Sequence, residues 1–313
     1  MKQELIDCHE RIKEYIHHTP IMESGHIEHF LGNDLYFKCE NFQRAGAFKM
    51  RGATNAILQL SDEQRSKGVI THSSGNFAQA LALAAKKLNV KCYIVMPHDA
   101  PYVKRNAVLM YGGEIVECAP TMESRERVCN HMIEETGATF IHASNDINVI
   151  LGQGTSAKEL LESQPDLDVI IVSVGGGGLL AGTILAAQNF GKPGIEVYGG
   201  EPLEADDAYR SVESGVIQCN SSTNTIADGL RTQLGDVTFP IIKEGVKQII
   251  RVRENEIVSS MRVIWERMKI IVEPSSAVAL AVLIKERPLF EGKKVGIILS
   301  GGNVDLDNLP FDN

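Results

Sequence analysis

No apolar run in these 313 residues comes near the roughly 20 that a membrane-spanning helix demands. The opening MKQELIDCHERIKEY is an amphipathic helix pattern rather than a secretion signal, so the expected compartment is the cytoplasm. Cysteine is sparse: Cys8, Cys39, Cys92, Cys118, Cys129 and Cys219 include no C-x-x-C pair, which leaves neither a disulfide framework nor a zinc site to build on. Positive charge is in deficit, with 31 Lys and Arg against 40 Asp and Glu and a formal charge of −9. That balance argues against nucleic acid and anionic membranes as partners. A small anionic ligand would need a local site rich in N–H groups or cations. Repeats, low-complexity tracts and charged linkers are also missing.

What is present is an ordinary globular composition, 43% hydrophobic, enough to bury the core of one large or two medium domains. From about residue 35 onward, short β-branched runs alternate with longer helical patterns. Strands are expected at 35–39, 68–71, 91–96, 114–117, 140–142, 169–174, 196–200, 248–252 and 294–299. Helices are expected at 76–87, 122–136, 154–163 and 254–268, which is the α/β signature with mostly parallel sheets flanked by helices. Residues 67–144 hold a set of alternations of their own and read as a small, mobile domain inserted into a large one made of 1–66 and 145–313. Ligands in such sheets bind beyond the carboxyl ends of the strands.

The most telling segment is VIIVSVGGGGLLAGT, Val169 to Thr183, a buried strand pattern that empties into Gly175, Gly176, Gly177 and Gly178 and resumes as a helix. Such a loop can bring backbone N–H groups and a helix dipole against a phosphate. A Walker loop is unlike it, because Thr183 stands where the lysine belongs. A dinucleotide fingerprint is matched loosely by Gly176, Gly178 and Ala181, with Glu196 or Glu201 as the ribose acid. A tight turn that binds nothing is the plainest alternative.

Three other segments pair turns with reactive side chains. In FKCENFQRAGAFKMRGAT, Lys49 opens a helix between Arg44 and Arg51, where neighbouring cations and desolvation would lower its pKa and make it a nucleophile toward carbonyls; it could equally be a solvated surface charge. In THSSGNFAQALALAAK, Ser73, Ser74, Gly75 and Asn76 form a strand-to-helix corner, suited either to capping the helix or to receiving a ligand. In IILSGGNVDL a strand ends at Ser300, Gly301, Gly302 and Asn303, a pattern that a plain glycine turn would also give.

These segments stand in order with GQGT at Gly152 to Thr155, EPLEADD at Glu201 to Asp207, TIADGL at Thr225 to Leu230, and WERMK with VEPS at Trp265 to Ser275. Together they resemble, over nearly the whole chain, the fold-type II pyridoxal-phosphate enzymes with the two-domain tryptophan synthase β-like fold. Within that group the chain is most similar to the branch of serine racemase and serine/threonine dehydratase. The resemblance implies that Lys49 bonds the cofactor and then acts as the base for the α-proton. It implies that Phe48 stacks on the cofactor ring, that Asn76 bonds its phenolic oxygen, that Gly175 to Gly178 hold its phosphate, and that Ser300 faces its pyridine nitrogen. A hydroxyl there does not hold that nitrogen protonated, which favours elimination. Ser73, Ser74 and Asn76 would receive the substrate carboxylate, and Arg125 would reach the substrate from the small domain, although Glu123, Arg125, Glu126 and Arg127 also read as a solvated helix face.

The implied reaction is the dehydration and deamination of serine, threonine or 3-hydroxyaspartate to a 2-oxo acid and ammonia. The alternative is a racemase in which Lys49 and Ser74 work from opposite faces, and the alternative of another class is a cofactor-binding protein without catalysis. Glu201, the Ala205 carbonyl and Asp207 match the branch's divalent-cation site, for Mg²⁺, Mn²⁺ or Ca²⁺. A homodimer is implied, with a small amino acid as the partner molecule. The chain departs from the pattern at Ala47 for serine, Phe77 for histidine, Ala143–Ser144 for Pro-Asn or Pro-Phe, and Ala45 for a polar residue where some racemases bind a nucleotide. ATP regulation is therefore not expected.

Overall fold

The computed structural model describes residues 1–100 and 102–311. Ten strands form two sheets: β1 Ile21–Met22, β2 Asp34–Cys39, β3 Val69–His72, β4 Cys92–Pro97, β5 Glu114–Cys118, β6 Thr139–Phe140, β7 Val169–Ser173, β8 Glu196–Pro202, β9 Gln248–Val252 and β10 Lys294–Leu299. The larger sheet runs β1-β2-β10-β7-β8-β9 and the smaller β5-β4-β3-β6. All pairings are parallel except the short β1 against β2. The α/β class with mostly parallel sheets is thus the one the alternation predicts. β7 and β10 are buried almost throughout, as continuous apolar strands covered by helices on both faces should be.

Strand order locates the crevices. In the larger sheet the chain moves outward from β7 to β8 and β9, then returns to place β10 on the other side of β7. In the smaller it moves from β3 to β4 and β5, then returns to place β6 on the other side of β3. Each reversal opens a crevice at the carboxyl ends of two adjacent strands. The loops leaving β10 and β7, and those leaving β3 and β6, are the ones that carry Ser300, the four glycines, Ser73–Asn76 and residues 141–146.

One helix begins earlier than its pattern suggests. The expected 154–163 segment is the end of a helix Ile147–Ser163, started by Asp146, whose carboxylate accepts the N–H groups of Asn148 at 2.7 Å and Val149 at 3.3 Å. Gly152 and Gly154 lie within this helix as contact points. A Cβ at Gly152 would stand 2.5 Å from Gly52 Cα, and one at Gly154 2.7 Å from the Gly182 carbonyl. Three helices, Lys49–Leu58, Ile147–Ser163 and Gly178–Phe190, therefore cross backbone against backbone beneath the site.

The first of these helices is pinned by a fully buried ionic cluster. Arg51 donates to Glu40 at 2.8 Å through two nitrogens and to Glu159 at 2.7 and 2.8 Å, and Lys38 donates to Glu159 at 2.6 Å. Each charge has an opposite partner, which is what burial requires. Arg51 stands two residues after Lys49 in this helix.

Candidate active site

Lys49 is delivered to the carboxyl end of β10 by two backbone contacts. Ala47 forms an isolated bridge with Gly301, and the Phe48 N–H donates to the Ser300 carbonyl at 3.0 Å. The half-buried Lys49 amine donates to the Ala143 carbonyl at 2.8 Å. It also lies 4.9 Å from the centroid of the Phe48 ring and 5.8 Å from that of Phe77. Burial pushes its pKa down to about 8, against the pull of the Glu273 carboxylate. Two of the residues that depart from the expected pattern, Ala47 and Phe77, are buried beside it.

The glycine loop leaves the adjacent strand β7. All four glycines are buried, and none of the N–H groups from Gly175 to Gly178 donates to a protein acceptor among the described residues. Four buried, unpartnered donors in one loop, next to a helix start whose cap Gly177 offers no side chain, suit an anion. Only Gly177 uses a positive φ, +81°. The other three answer to close approach: a Cβ at Gly175 would stand 2.8 Å from Leu230 Cα, and those at Gly176 and Gly178 would each press on Ser144. A phosphate group fits these donors.

From the smaller sheet, the helix Asn76–Lys87 points its N-terminus at the same crevice. Its cap is Gly75, and neither Ser74 nor Asn76 caps it; Ser73 instead accepts the Gly75 N–H at 3.3 Å. The Ser74 hydroxyl, half-buried, makes no hydrogen bond among the described residues, and a Cβ at Gly75 would meet nothing within 4 Å. Asn76 donates to Glu273 at 2.7 Å and accepts from Asn303 at 2.9 Å. Ser300 is buried, and among the described residues its hydroxyl has the Ser276 hydroxyl, at 3.1 Å, as its partner.

Arg125 behaves differently from its neighbours in sequence. Glu123, Glu126 and Arg127 are exposed, whereas Arg125 is half-buried with its Nε unpartnered among the described residues. Its charge reaches His72 and Cys118, and it makes no hydrogen bond to Ser73, Ser74 or Asn76.

Glu201 and Asp207 are fully buried, close enough for the charge of one to act on the other. Glu201 accepts the N–H groups of Ala208 at 2.9 Å and Tyr209 at 2.8 Å, and Asp207 accepts from Asn220 at 2.7 Å and Leu234 at 2.9 Å. Burial and the Asp207 charge push Glu201 well above the usual carboxylate range, and burial lifts Asp207 to about 6. Neither forms an ion pair among the described residues, since Arg210 and Arg251 both go to Asp206. No group of three His, Cys, Asp or Glu side chains suited to a metal occurs among the described residues, so a cation here would need the Ala205 carbonyl or water as well.

Two side chains in the crevice are not visible as functional in the sequence. Glu273 precedes Pro274 at a helix start and looks like an N-cap, yet it caps nothing and instead holds Asn76; burial and Asp228 push its pKa up to about 7. Its signal is that of an acid at a cap position where the cap is not made. His142 looks like the last residue of an apolar strand, but it lies outside β6 and accepts two backbone N–H groups. An ion pair between Lys104 and Asp228 joins the smaller-sheet layer to the loop that backs Gly175.

Comparison with known proteins gives consistent matches along the whole chain. The family model described as pyridoxal-phosphate dependent enzyme matches residues 12–301. The chain is 51% identical over 311 residues to a serine racemase of Dictyostelium discoideum, covering 98% of this chain and 96% of that protein. It is 47% identical over 310 residues to a beta-hydroxyaspartate dehydratase of Paracoccus denitrificans, covering 99% and 98%. Among solved structures, serine racemase from Dictyostelium discoideum superimposes with a TM-score of 0.93 at 51% identity, covering 98% of this chain and 99% of that one.

Proposed function

Because the chain belongs to the pyridoxal-phosphate dependent enzymes, we propose that it deaminates small β-hydroxy amino acids by β-elimination, releasing a 2-oxo acid and ammonia. The observation that carries this is the Lys49 amine, held by a neutral carbonyl at 2.8 Å with its pKa brought down to about 8, beside four buried N–H groups without acceptors. Pyridoxal phosphate bound there supplies the electron sink that makes the α-proton of an amino acid acidic. Gly175 to Gly178 would hold its phosphate, with Phe48, Asn76 and Ser300 around its ring.

The protein's own groups then divide the work. Lys49 Nζ takes the α-proton, an assignment favoured because its pKa lies near the working pH. The N-terminus of the helix Asn76–Lys87, with Ser73 and Ser74, receives the substrate carboxylate over the open space at Gly75. The β-hydroxyl leaves as water, and water returned later in the sequence frees ammonia, so L-serine gives pyruvate and ammonia in balance. Ser300, whose hydroxyl lies 3.1 Å from that of Ser276, would offer the ring nitrogen a hydroxyl rather than a carboxylate, which would favour loss of the β-group over reprotonation. Residues 67–144 are read as a small domain closing over the substrate, with Arg125 as its reach toward it.

Ser74 supports a second activity, racemisation, because its hydroxyl is uncommitted and stands on the opposing layer from Lys49. Glu201, Asp207 and the Ala205 carbonyl are proposed to bind a divalent cation that neutralises two buried carboxylates and stabilises the fold. A cytoplasmic homodimer completes the reading. The test is product analysis with L-serine and L-threo-3-hydroxyaspartate. Ammonia with the matching 2-oxo acid is expected, and the absence of both refutes the proposal. D-serine that disappears in Ser74→Ala while pyruvate release persists would establish the second activity.

A further inference from the structure

Between β6 and the helix Ile147–Ser163 the chain turns through His142, Ala143, Ser144 and Asn145, and this turn touches both halves of the crevice. The Ala143 carbonyl takes the Lys49 amine at 2.8 Å. Ser144 backs the glycine loop: a Cβ at Gly178 would stand 3.1 Å from Ser144 Cα. Asn145 continues the contact by accepting the N–H of Val237 at 2.8 Å and donating to Asp236 at 2.6 Å.

A single side chain shapes the turn. His142 Nδ1 accepts the N–H of Ser144 at 3.1 Å and of Asn145 at 2.8 Å. A ring nitrogen that accepts two N–H bonds carries no proton, so the imidazole is neutral with its hydrogen on Nε2. The surroundings favour that state. Burial, His72 and the Lys49 ammonium push the His142 pKa down to about 4, and Asp236 opposes them. The ring is also held edge-on by Phe140 and His72, at centroid distances of 6.2 and 6.3 Å. Protonation or removal of this acceptor would free two N–H groups in a partly buried turn and let the Ala143–Ser144 peptide rotate, the unit that carries both the Ser144 N–H and the Ala143 carbonyl.

We propose that His142 is a positioning residue for Lys49: its neutral imidazole, by accepting those two backbone N–H groups, keeps the Ala143 carbonyl on the lysine amine and Ser144 against the glycine loop. The inference rests on Lys49 being the reactive amine of the proposed function.

Asparagine separates the acceptor from the imidazole, because Asn Oδ1 stands as many bonds from Cα as His Nδ1 and makes the same i+2 and i+3 backbone bonds. Leucine fills the space without an acceptor. The holoenzyme is assayed for ammonia release from L-serine and, independently of turnover, for the rate at which it loses its visible absorbance to a trap for free pyridoxal phosphate. His142→Leu is expected to lower kcat at least about tenfold with KM within about threefold, as a small misplacement of a reacting group does. It should also release cofactor at least about tenfold faster. His142→Asn is expected to restore both to within about threefold of wild type. Equal behaviour of His142→Leu and wild type overturns the proposal, and so does a His142→Asn variant as impaired as His142→Leu. Should the leucine variant not fold, His142→Asn decides alone: wild-type values support the role and a tenfold loss overturns it. Wild-type holoenzyme inert toward all the hydroxy amino acids would instead refute the proposed function.

Discussion

An ordinary lysine with a pKa of 10.5 is almost wholly an ammonium at pH 7, and so a poor nucleophile and no base. Lys49, brought down to about 8 by burial, would present about 300 times more free amine at that pH, since each pKa unit is a factor of ten. Competitive acetylation with trace acetic anhydride measures this directly on cofactor-stripped protein, with Lys49 read by peptide mass spectrometry against exposed lysines of the same chain. The Lys49 labelling rate should inflect near pH 8, the exposed lysines above pH 10. Glu273 provides the internal check. Its carboxylate favours the Lys49 ammonium, so Glu273→Gln removes an attraction and must move the inflection below 8. Glu273 itself is pushed up to about 7, so its charge is largely present where Lys49 titrates. An inflection above about 9.5, or an upward shift in Glu273→Gln, would refute the claim that burial sets the reactivity of this amine.

Two further outcomes follow from the packing. Arg51→Met should cost about 3–5 kcal/mol, because it leaves Glu40 buried with only the Thr19 hydroxyl as partner while Glu159 keeps Lys38 and His9. The orphaned carboxylate would have a raised pKa, so the folded variant binds an extra proton and its deficit in thermal unfolding grows as pH rises; Glu40→Gln added to it should recover most of the loss. Gly176→Ala, whose Cβ would press on Ser144, should weaken cofactor binding at least about tenfold with unchanged circular dichroism, whereas Gly75→Ala, which meets nothing within 4 Å, should bind cofactor normally and raise KM for the amino acid. Matching cofactor affinities for the two alanine variants would contradict the division of the crevice into a phosphate end and a carboxylate end.

What could be read from the sequence, and what could not, divides by the range of the interactions involved. Strand periodicity and the glycine run are local, so the sheets, the loop after β7 and the corner after β3 stand close to where the pattern puts them. The periodicity locates only residues 154–163 of the helix Ile147–Ser163, and only the crossing helices show why glycine belongs at 152 and 154. Arg125 had the same weakness in reverse: its neighbours make it look solvated, and only the fold turns it inward toward His72. Glu273 stands in the VEPS motif and His142 at the end of an expected strand, but their partners come from elsewhere in the chain: Asn76 at 2.7 Å for the first and, on the inference above, Lys49 through Ala143 for the second.

That division bears on which reaction wins. On the proposed reading, the legible residues Lys49 and Gly175 to Gly178 would hold the cofactor and start proton removal for elimination and racemisation alike, while Ser300 would favour elimination. With Lys49 and Ser74 in the proposed roles, the choice between the two would depend on how long each keeps a proton poised over the same carbon. On the lysine side that would be governed by the Ala143 carbonyl, the Glu273 charge and the Phe77 ring; on the serine side by a hydroxyl that makes no hydrogen bond among the described residues. A firmly held base facing a loosely held acid should expel the β-hydroxyl before reprotonation from the far face, which is the physical reason to expect elimination as the main path and racemisation as the minor one.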